Sequence, residues 1–367
     1  MLLRLRRALP PPQLDAILSL ARELGYRTRW LDDGTEFLRL IGEGAADHPS
    51  RFEDLIGVAA VLERGSAREL HERLPGQPDT LVQAHEARFG GKHLALIAGP
   101  CAVEGWDHLL GIAKAVQAEG AQLLRGGAYK PRTSPYSFQG LGEEGLELLE
   151  RVRAQTGIGI VTEVLDPRDV ERVARAADML QVGARSMQNT PLLKEVGQAG
   201  KPVLLKRSFG ATVREFLLAA EYILAEGNSQ VVLCERGVRS FDSVTRNLLD
   251  VGAVAHLKKV THLPVIVDPS HAAGRADLVR SLARAGIGAG ADGLMVEVHV
   301  DVSEVHSDGA QAVTPEVFGA IARDLEHIGA LDGRSRYCSP SGDIDPGLQC
   351  PSGQAKNVPS RRSLPPC

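Results

Sequence analysis

Ala121-Gln122-Leu123-Leu124-Arg125-Gly126-Gly127-Ala128-Tyr129-Lys130-Pro131-Arg132-Thr133-Ser134-Pro135-Tyr136-Ser137-Phe138-Gln139-Gly140 begins as an apolar, strand-like run and continues as a cationic loop. Glycine and proline bar a helix or central strand after Leu124, so the loop has a defined shape. Arg125, Lys130 and Arg132 make it an anion cradle, because arginine grips carboxylate or phosphate with two bonds and lysine adds a movable charge. A basic loop alone is more often a solvated surface. What changes the reading is that the same unit, an apolar run ending in polar residues, recurs along the chain.

Apolar runs fall at 94–98, 121–124, 158–165, 179–182, 202–205, 230–233, 264–267 and 293–298, with helical periodicity between them, plainest at 213–226. Repeated β-α units over about 235 residues predict a (β/α)8 TIM barrel spanning 93–330. A doubly wound open sheet is the alternative, weakened by the lack of a G-x-G-x-x-G turn following an apolar run and of a Walker A loop. In such barrels the chemistry sits at the C-terminal strand ends. Here those ends read Ala98-Gly-Pro-Cys101, Arg125, Thr162-Glu163, Gly183-Ala-Arg185, Lys206-Arg207, Cys234-Glu-Arg-Gly237, Asp268-Pro-Ser-His271 and Glu297-Val-His299, with Ser307-Asp-Gly309 beyond. Arg125, Lys130, Arg185, Lys206 and Arg236 form a positive half with no acidic partner evident in the sequence, enough for a phosphate plus a carboxylate. Cys101, His271, Glu297 and Asp308 combine thiolate, imidazole and carboxylate, brought together where a barrel closes its last strand on its first. That donor set suits a divalent transition ion such as Mn, Fe, Co or Zn, with His299 and His306 as rival ligands.

Before the barrel, residues 1–66 read in the order β-α-β-β-α-β, with strands at 1–6, 26–31, 35–41 and 58–62, helices at 11–25 and 48–56, and a hairpin turn at Asp32-Asp33-Gly34. This order predicts a small α+β ferredoxin-like domain. Residues 67–92, polar and punctuated by glycine and proline, read as a linker. Residues 331–367 are rich in proline, hold Cys338, Cys350 and Cys367 at no trustworthy metal spacing, and predict a disordered tail. A net charge of -4 gives no general attraction to nucleic acid or to an anionic membrane. The N-terminus lacks a signal-peptide core, no apolar run is long enough to cross a bilayer, and five cysteines form no scaffold, so a reducing cytoplasm is expected.

The motifs Ala98-Gly-Pro-Cys101, Lys130-Pro-Arg-Thr-Ser134, Gly183-Ala-Arg185, Leu205-Lys206, Cys234-Glu-Arg-Gly237, Asp268-Pro-Ser-His-Ala272 and Ser307-Asp-Gly309 together resemble the signatures of the 3-deoxy-D-arabino-heptulosonate 7-phosphate (DAHP) synthase family over residues 94–325. The N-terminal module resembles the ferredoxin-like regulatory domain of one branch. The resemblance implies metal binding by Cys101, His271, Glu297 and Asp308, and phosphoenolpyruvate binding by Arg125, Lys130, Arg185, Lys206 and Arg236. It implies erythrose 4-phosphate binding by Arg132, Thr133, Ser134 and Ser186, and catalytic parts for Lys130, Cys101 and His271. It further implies condensation of the two substrates with release of phosphate, an aromatic amino acid as effector, and a homo-oligomer. Two rivals stand beside it. The sister 3-deoxy-D-manno-octulosonate 8-phosphate (KDO8P) synthases use arabinose 5-phosphate but typically carry K-A-N-R-S-S where this chain has Lys130-Pro-Arg-Thr-Ser134. A catalytically dead sugar-phosphate sensor would not need the intact cations and metal ligands. Fusion to a chorismate mutase is disfavoured, because residues 1–92 lack its long helices.

Overall fold

A computed structural model describes residues 1–6, 9–30, 37–41, 48–61, 69–131, 134, 136–300 and 309–336. The chain begins with Leu2–Leu5 (β1) and Pro11–Glu23 (α1), whose first-turn proline costs no helix hydrogen bond. Arg27–Trp30 (β2), Phe37–Ile41 (β3), Pro49–Glu53 (α2) and Val58–Val61 (β4) follow. The strands form an antiparallel sheet in the order β2-β3-β1-β4. Leu3, Leu5, Ile17, Leu38, Leu40 and Phe52 make its own small core. The expected hairpin turn at Asp32-Asp33-Gly34 lies outside the described residues.

The expectation of a linker over 67–92 needs correcting from residue 69 onward. Val82–Ala84 (β5) and Ala87–Phe89 (β6) form an antiparallel hairpin. Val82, Ala84, Ala87 and Phe89 are buried against Ala95, Ile97, Leu123 and Val161, inside the barrel. His85 at its turn lies against Gly159, where a Cβ would come within 2.6 Å of it, so the hairpin plugs the N-terminal end. The segment before it is strapped down as well. His71 Nδ1 lies 3.0 Å from Glu221 Oε2, and Thr80 Oγ1 lies 2.7 Å from His262 Nδ1. Three-residue strands are too short for alternation to stand out, and their burial comes from a distant partner.

The barrel strands are His93–Gly99 (β7), Leu123–Arg125 (β8), Gly159–Glu163 (β9), Met179–Val182 (β10), Val203–Lys206 (β11), Val231–Glu235 (β12), Val265–Val267 (β13) and Gly293–Glu297 (β14). Trp106–Ala118 (α3), Glu143–Thr156 (α4), Val170–Ala176 (α5), Thr190–Gln198 (α6), Val213–Ala225 (α7) and Val251–Val260 (α8) connect them, followed by Pro269–Ala273 (α9) and Ala276–Gly288 (α10). Local signals set the helix starts. Thr212 and Glu215 form a reciprocal capping box on α7, and Asp250 accepts from the Ala253 N–H to cap α8. Neighbouring strands run parallel, and β14 returns to β7 with Gly293 opposite Ala95 and Glu297 opposite Gly99, closing the eight-stranded (β/α)8 barrel.

Alternation along the strands positions everything that follows. Leu94, Leu96, Leu124, Ile160, Leu180 and Val203 pack outward against the helices. Ile97, Leu123, Val161, Met179, Leu204, Cys234, Ile266 and Met295 fill the interior. Side chains two residues apart share a face. The next inward ring is therefore Gly99, Arg125, Glu163, Gln181, Lys206, Arg236, Asp268 and Glu297.

The boundary expected at 331 also shifts. Pro315–Leu331 (α11) leads to Ser335–Arg336 (β15), which pairs with the start of β7. Buried Arg334 donates from Nη1 to Ala291 O at 2.7 Å and from Nη2 to Ile287 O at 3.2 Å. Arg336 donates to Glu326 Oε1 at 2.6 Å and to Gly120 O at 2.8 Å. These polar residues join the fold through ladder and carbonyl bonds, which leave no apolar periodicity in the sequence. Residues 337–367 lie outside the described ones. Among the described residues no helix is long and apolar enough to cross a membrane.

Candidate active site

An open cleft of about 580 Å³ at the C-terminal strand ends is lined by Arg125, Lys130, Arg185, Lys206, Arg236 and His271, with Glu163, Gln181 and Arg246. The predicted cations do converge. Their side chains arrive by different routes. Arg125, Lys206 and Arg236 are buried members of the inward ring. Arg125 donates from Nε to Pro100 O at 3.2 Å and from Nη2 to Cys101 O at 3.4 Å, while its buried Nη1 meets no acceptor among the described residues. Lys130 reaches in from its loop, which is held by Lys130 N–H to Gln139 O at 2.8 Å and Gly142 N–H to Ala128 O at 2.9 Å. Arg236 donates to His271 O at 3.3 Å.

The cations are not without acids, which corrects the sequence reading. Lys206 Nζ makes a short, buried ion pair with Asp268. Burial pushes the Asp268 carboxyl up, but His271, Lys206 and Arg125 outweigh it and hold it well below the usual carboxylate range. Arg207 faces the other way from Lys206, as alternation requires, and pairs with Glu235 at 2.8 Å and Asp250 at 3.1 Å. Glu163 accepts from Gln181 Nε2 at 3.3 Å. A Cβ on Gly183 would come within 1.9 Å of Glu163 Oε1, so this glycine makes room for the carboxylate.

Cys101, His271 and Glu297 form a second group against the same wall, with one ligand atom from each within 4.8 Å of the others. The Asp268-Pro-Ser-His271 motif explains the pose of His271. Asp268 caps α9 by accepting from the His271 N–H at 3.0 Å, with Pro269 at the first helical position. His271 Nδ1 lies 2.9 Å from Asp268 Oδ2. Burial, with Lys206 and Arg125 nearby and despite Asp268, lowers the imidazole pKa to about 4, so it is neutral and has a lone pair to give. Burial raises the Glu297 carboxyl, yet the His299 ring, His271, Arg125 and Gln311 hold it below its usual value. Glu297 Oε2 accepts from Gln311 Nε2 at 2.8 Å, whereas buried Oε1 has no donor among the described residues. Oε1 lies toward His299 and Oε2 lies 3.8 Å from His271 Nε2, so a cation held between the thiol, this carboxylate and the neutral imidazole would offset the cost of burying their lone pairs. The donor set therefore fits a divalent transition ion.

Other expectations fall differently. Asp308, Arg132, Thr133 and His306 lie outside the described residues. Ser134 is exposed, its Oγ accepting from the Tyr136 N–H at 3.3 Å, and Ser186 N–H bonds to Gly183 O at 2.9 Å beside Arg185. His299 is buried and stacked on His108 with ring centroids 5.3 Å apart. Its Nε2 is 3.8 Å from Glu297 Oε1, and it is not part of the three-residue group. Sequence reading missed Gln181, Arg246 and Gln311. A polar Gln181 inside the buried run Met179-Leu-Gln-Val182 was a readable signal; Arg246 in a bend and Gln311 at the end of a single 3-10 turn carried none.

A closed barrel whose mouth gathers cations beside a thiol, an imidazole and a carboxylate defines a class: barrels that bind small phosphorylated or carboxylated molecules next to a metal site. Within that class, the family model described as the DAHP synthetase I family matches residues 79–330, and the chain belongs to that family. A phospho-2-dehydro-3-deoxyheptonate aldolase of Thermotoga maritima is 45% identical over 289 residues, covering 79% of this chain and 86% of that protein. The crystal structure of a Thermotoga maritima DAHP synthase superposes with a TM-score of 0.71 at 40% identity, covering 91% of this chain and 98% of that one. A 2-dehydro-3-deoxyphosphooctonate aldolase of Syntrophotalea carbinolica is 33% identical, covering 70% of this chain and 96% of that protein.

Proposed function

We propose that the chain is a transferase that condenses phosphoenolpyruvate with D-erythrose 4-phosphate and water to give DAHP and phosphate, the entry step to aromatic amino acid biosynthesis. The observation that carries this reading is the shared wall. Arg125 and Lys130 line both the cationic cleft and the adjoining cavity that reaches Cys101. Arg125, Lys130, Arg185, Lys206 and Arg236 hold the phosphate and carboxylate of phosphoenolpyruvate. Arg132, Thr133, Ser134 and Ser186 hold the phosphate of the four-carbon aldehyde. Cys101, His271, Glu297 and Asp308 hold a divalent ion (Mn, Fe, Co or Zn). When bound, that ion supplies Lewis-acid polarisation of the aldehyde oxygen.

The chain's own residues do the rest. Fixed cations align C3 of phosphoenolpyruvate with the aldehyde carbon and neutralise the charges being brought together. As the C–C bond forms, the aldehyde oxygen takes a proton from Lys130. Water adds at C2 and gives one proton back to Lys130; the C2 hydroxyl then becomes the ketone as the bond from C2 to the phosphate oxygen breaks, and its proton leaves with the phosphate. The sheet order β2-β3-β1-β4 with two helices supports reading residues 1–66 as a ferredoxin-like regulatory domain. Tyrosine or phenylalanine is its effector, the enzyme is a homo-oligomer, and it works in the cytoplasm.

Phosphoenolpyruvate consumption measured in parallel with erythrose 4-phosphate and arabinose 5-phosphate tests the substrate. Erythrose 4-phosphate should have the higher kcat/KM by about 100-fold, since a phosphate displaced by one carbon misplaces the reacting carbon. Preference for arabinose 5-phosphate would move the chain to the reaction named for the Syntrophotalea relative. Turnover of neither would leave only a sensor.

A further inference from the structure

Glu297 and Arg246 are joined by one side chain, Gln311. Gln311 is buried, in a turn just before Val313, and Val313 N–H bonds to Glu297 O at 3.0 Å while His299 N–H bonds to Val313 O at 3.1 Å. Gln311 is thus tied by backbone to the end of β14. Its Nε2 donates to Glu297 Oε2 at 2.8 Å, and its Oε1 accepts from Arg246 Nη1 at 3.1 Å. Only one orientation of the amide works. A guanidinium can only donate and an ionised carboxylate can only accept, so the oxygen must face Arg246 and the nitrogen Glu297. Arg246 itself lines the cationic cleft, and its backbone N–H bonds to Ala273 O at 3.0 Å on α9, the helix that carries His271.

We propose that Gln311 is a positioning residue which couples the cation-binding group to the anion cleft, with Arg246 as a further anion contact at the cleft mouth. Gln311 holds Glu297 by Oε2, the oxygen that lies 3.8 Å from His271 Nε2, and so sets that carboxylate against the cation-binding group, and it holds Arg246 over the cleft. Binding at either end rigidifies the other through the shared amide, and such coupling is reciprocal. This rests on the reading that Cys101, His271 and Glu297 hold the metal.

The test measures Mn(II) affinity of the full chain by equilibrium dialysis, without and with phosphoenolpyruvate, in wild type, Arg246→Ala, Gln311→Leu, the double variant and Cys101→Ala. Gln311→Leu should weaken Mn(II) binding about 10-fold, as loss of a bond that orients a ligand typically does. Arg246→Ala should weaken it less. The double variant should be no weaker than Gln311→Leu alone, because both changes cut one chain. Phosphoenolpyruvate should tighten Mn(II) binding in wild type and do so less in either single variant. Unchanged Mn(II) affinity in folded Gln311→Leu, or strictly additive losses, would overturn the coupling. If Gln311→Leu does not fold, exposed Arg246→Ala still decides: full Mn(II) affinity and a full response to phosphoenolpyruvate in that variant overturn it. Wild-type affinity in Cys101→Ala would instead remove the metal reading, and the coupling with it.

Discussion

At the scale of residues, the mouth of the barrel is a ring of charges packed two residues above an apolar layer. The position occupied by Gly183 is a sharp test of how tightly that ring is built. Any Cβ there would meet Glu163 Oε1 at 1.9 Å, and Glu163 is held by Gln181 on the same cleft wall. Gly183→Ala should push the Glu163 carboxylate into the cleft toward its lining cations, the proposed phosphoenolpyruvate site. The expected result is a kcat/KM for phosphoenolpyruvate lowered about 100-fold, through misplacement of the substrate. Steady-state kinetics with a circular dichroism check of folding decides it; unchanged kinetics would show that Glu163 has room to move. Cys234 makes a contrast with Cys101. It points into the packed interior, and burial pushes its thiol up to about 12, which leaves it a structural side chain.

At the scale of elements, the barrel is closed below by pieces that lack a strong pattern of their own. Phe89 of the β5–β6 hairpin is fully buried, and β15 adds a short ladder to β7. Arg334 satisfies carbonyls at the end of α10 and just beyond it, groups a helix end leaves without partners. Ending the chain before Ser335 removes the ladder and the two Arg336 bonds, and should lower stability by about 2 kcal/mol. Ending it after Tyr337 should cost nothing measurable in stability or activity. Urea denaturation of the two truncations separates these outcomes, and equal midpoints would show that β15 contributes no stability.

At the scale of the whole molecule, the small sheet and the barrel have separate cores, but the segment between them belongs to the barrel. Deleting residues 1–66 should therefore leave a folded, active barrel that no longer responds to tyrosine or phenylalanine. Deleting residues 1–92 should not, because it removes the His71–Glu221 and Thr80–His262 ties and the plug around Phe89. Activity and inhibition assays on both deletions check this. An active second variant would show that the plug is dispensable, and an effector response kept by the first would place regulation elsewhere.

What the sequence determined by itself was the barrel and its ring. Period-two alternation is local, so Leu123 facing inward puts Arg125 inward, Leu204 does the same for Lys206 and Met295 for Glu297. The strand-end motifs are likewise short-range, and Asp268-Pro-Ser-His271, where Asp268 caps α9, was legible as one of them. Only the tertiary structure decided which charges meet. Lys206 and Asp268 are 62 residues apart, and Gln311 lies 65 residues from Arg246 and 14 from Glu297. It also decided that residues 82–89 are a plug, because their burial is supplied by strands that follow later in the chain. Such pairings depend on which elements the closed barrel brings side by side, and no local periodicity records that.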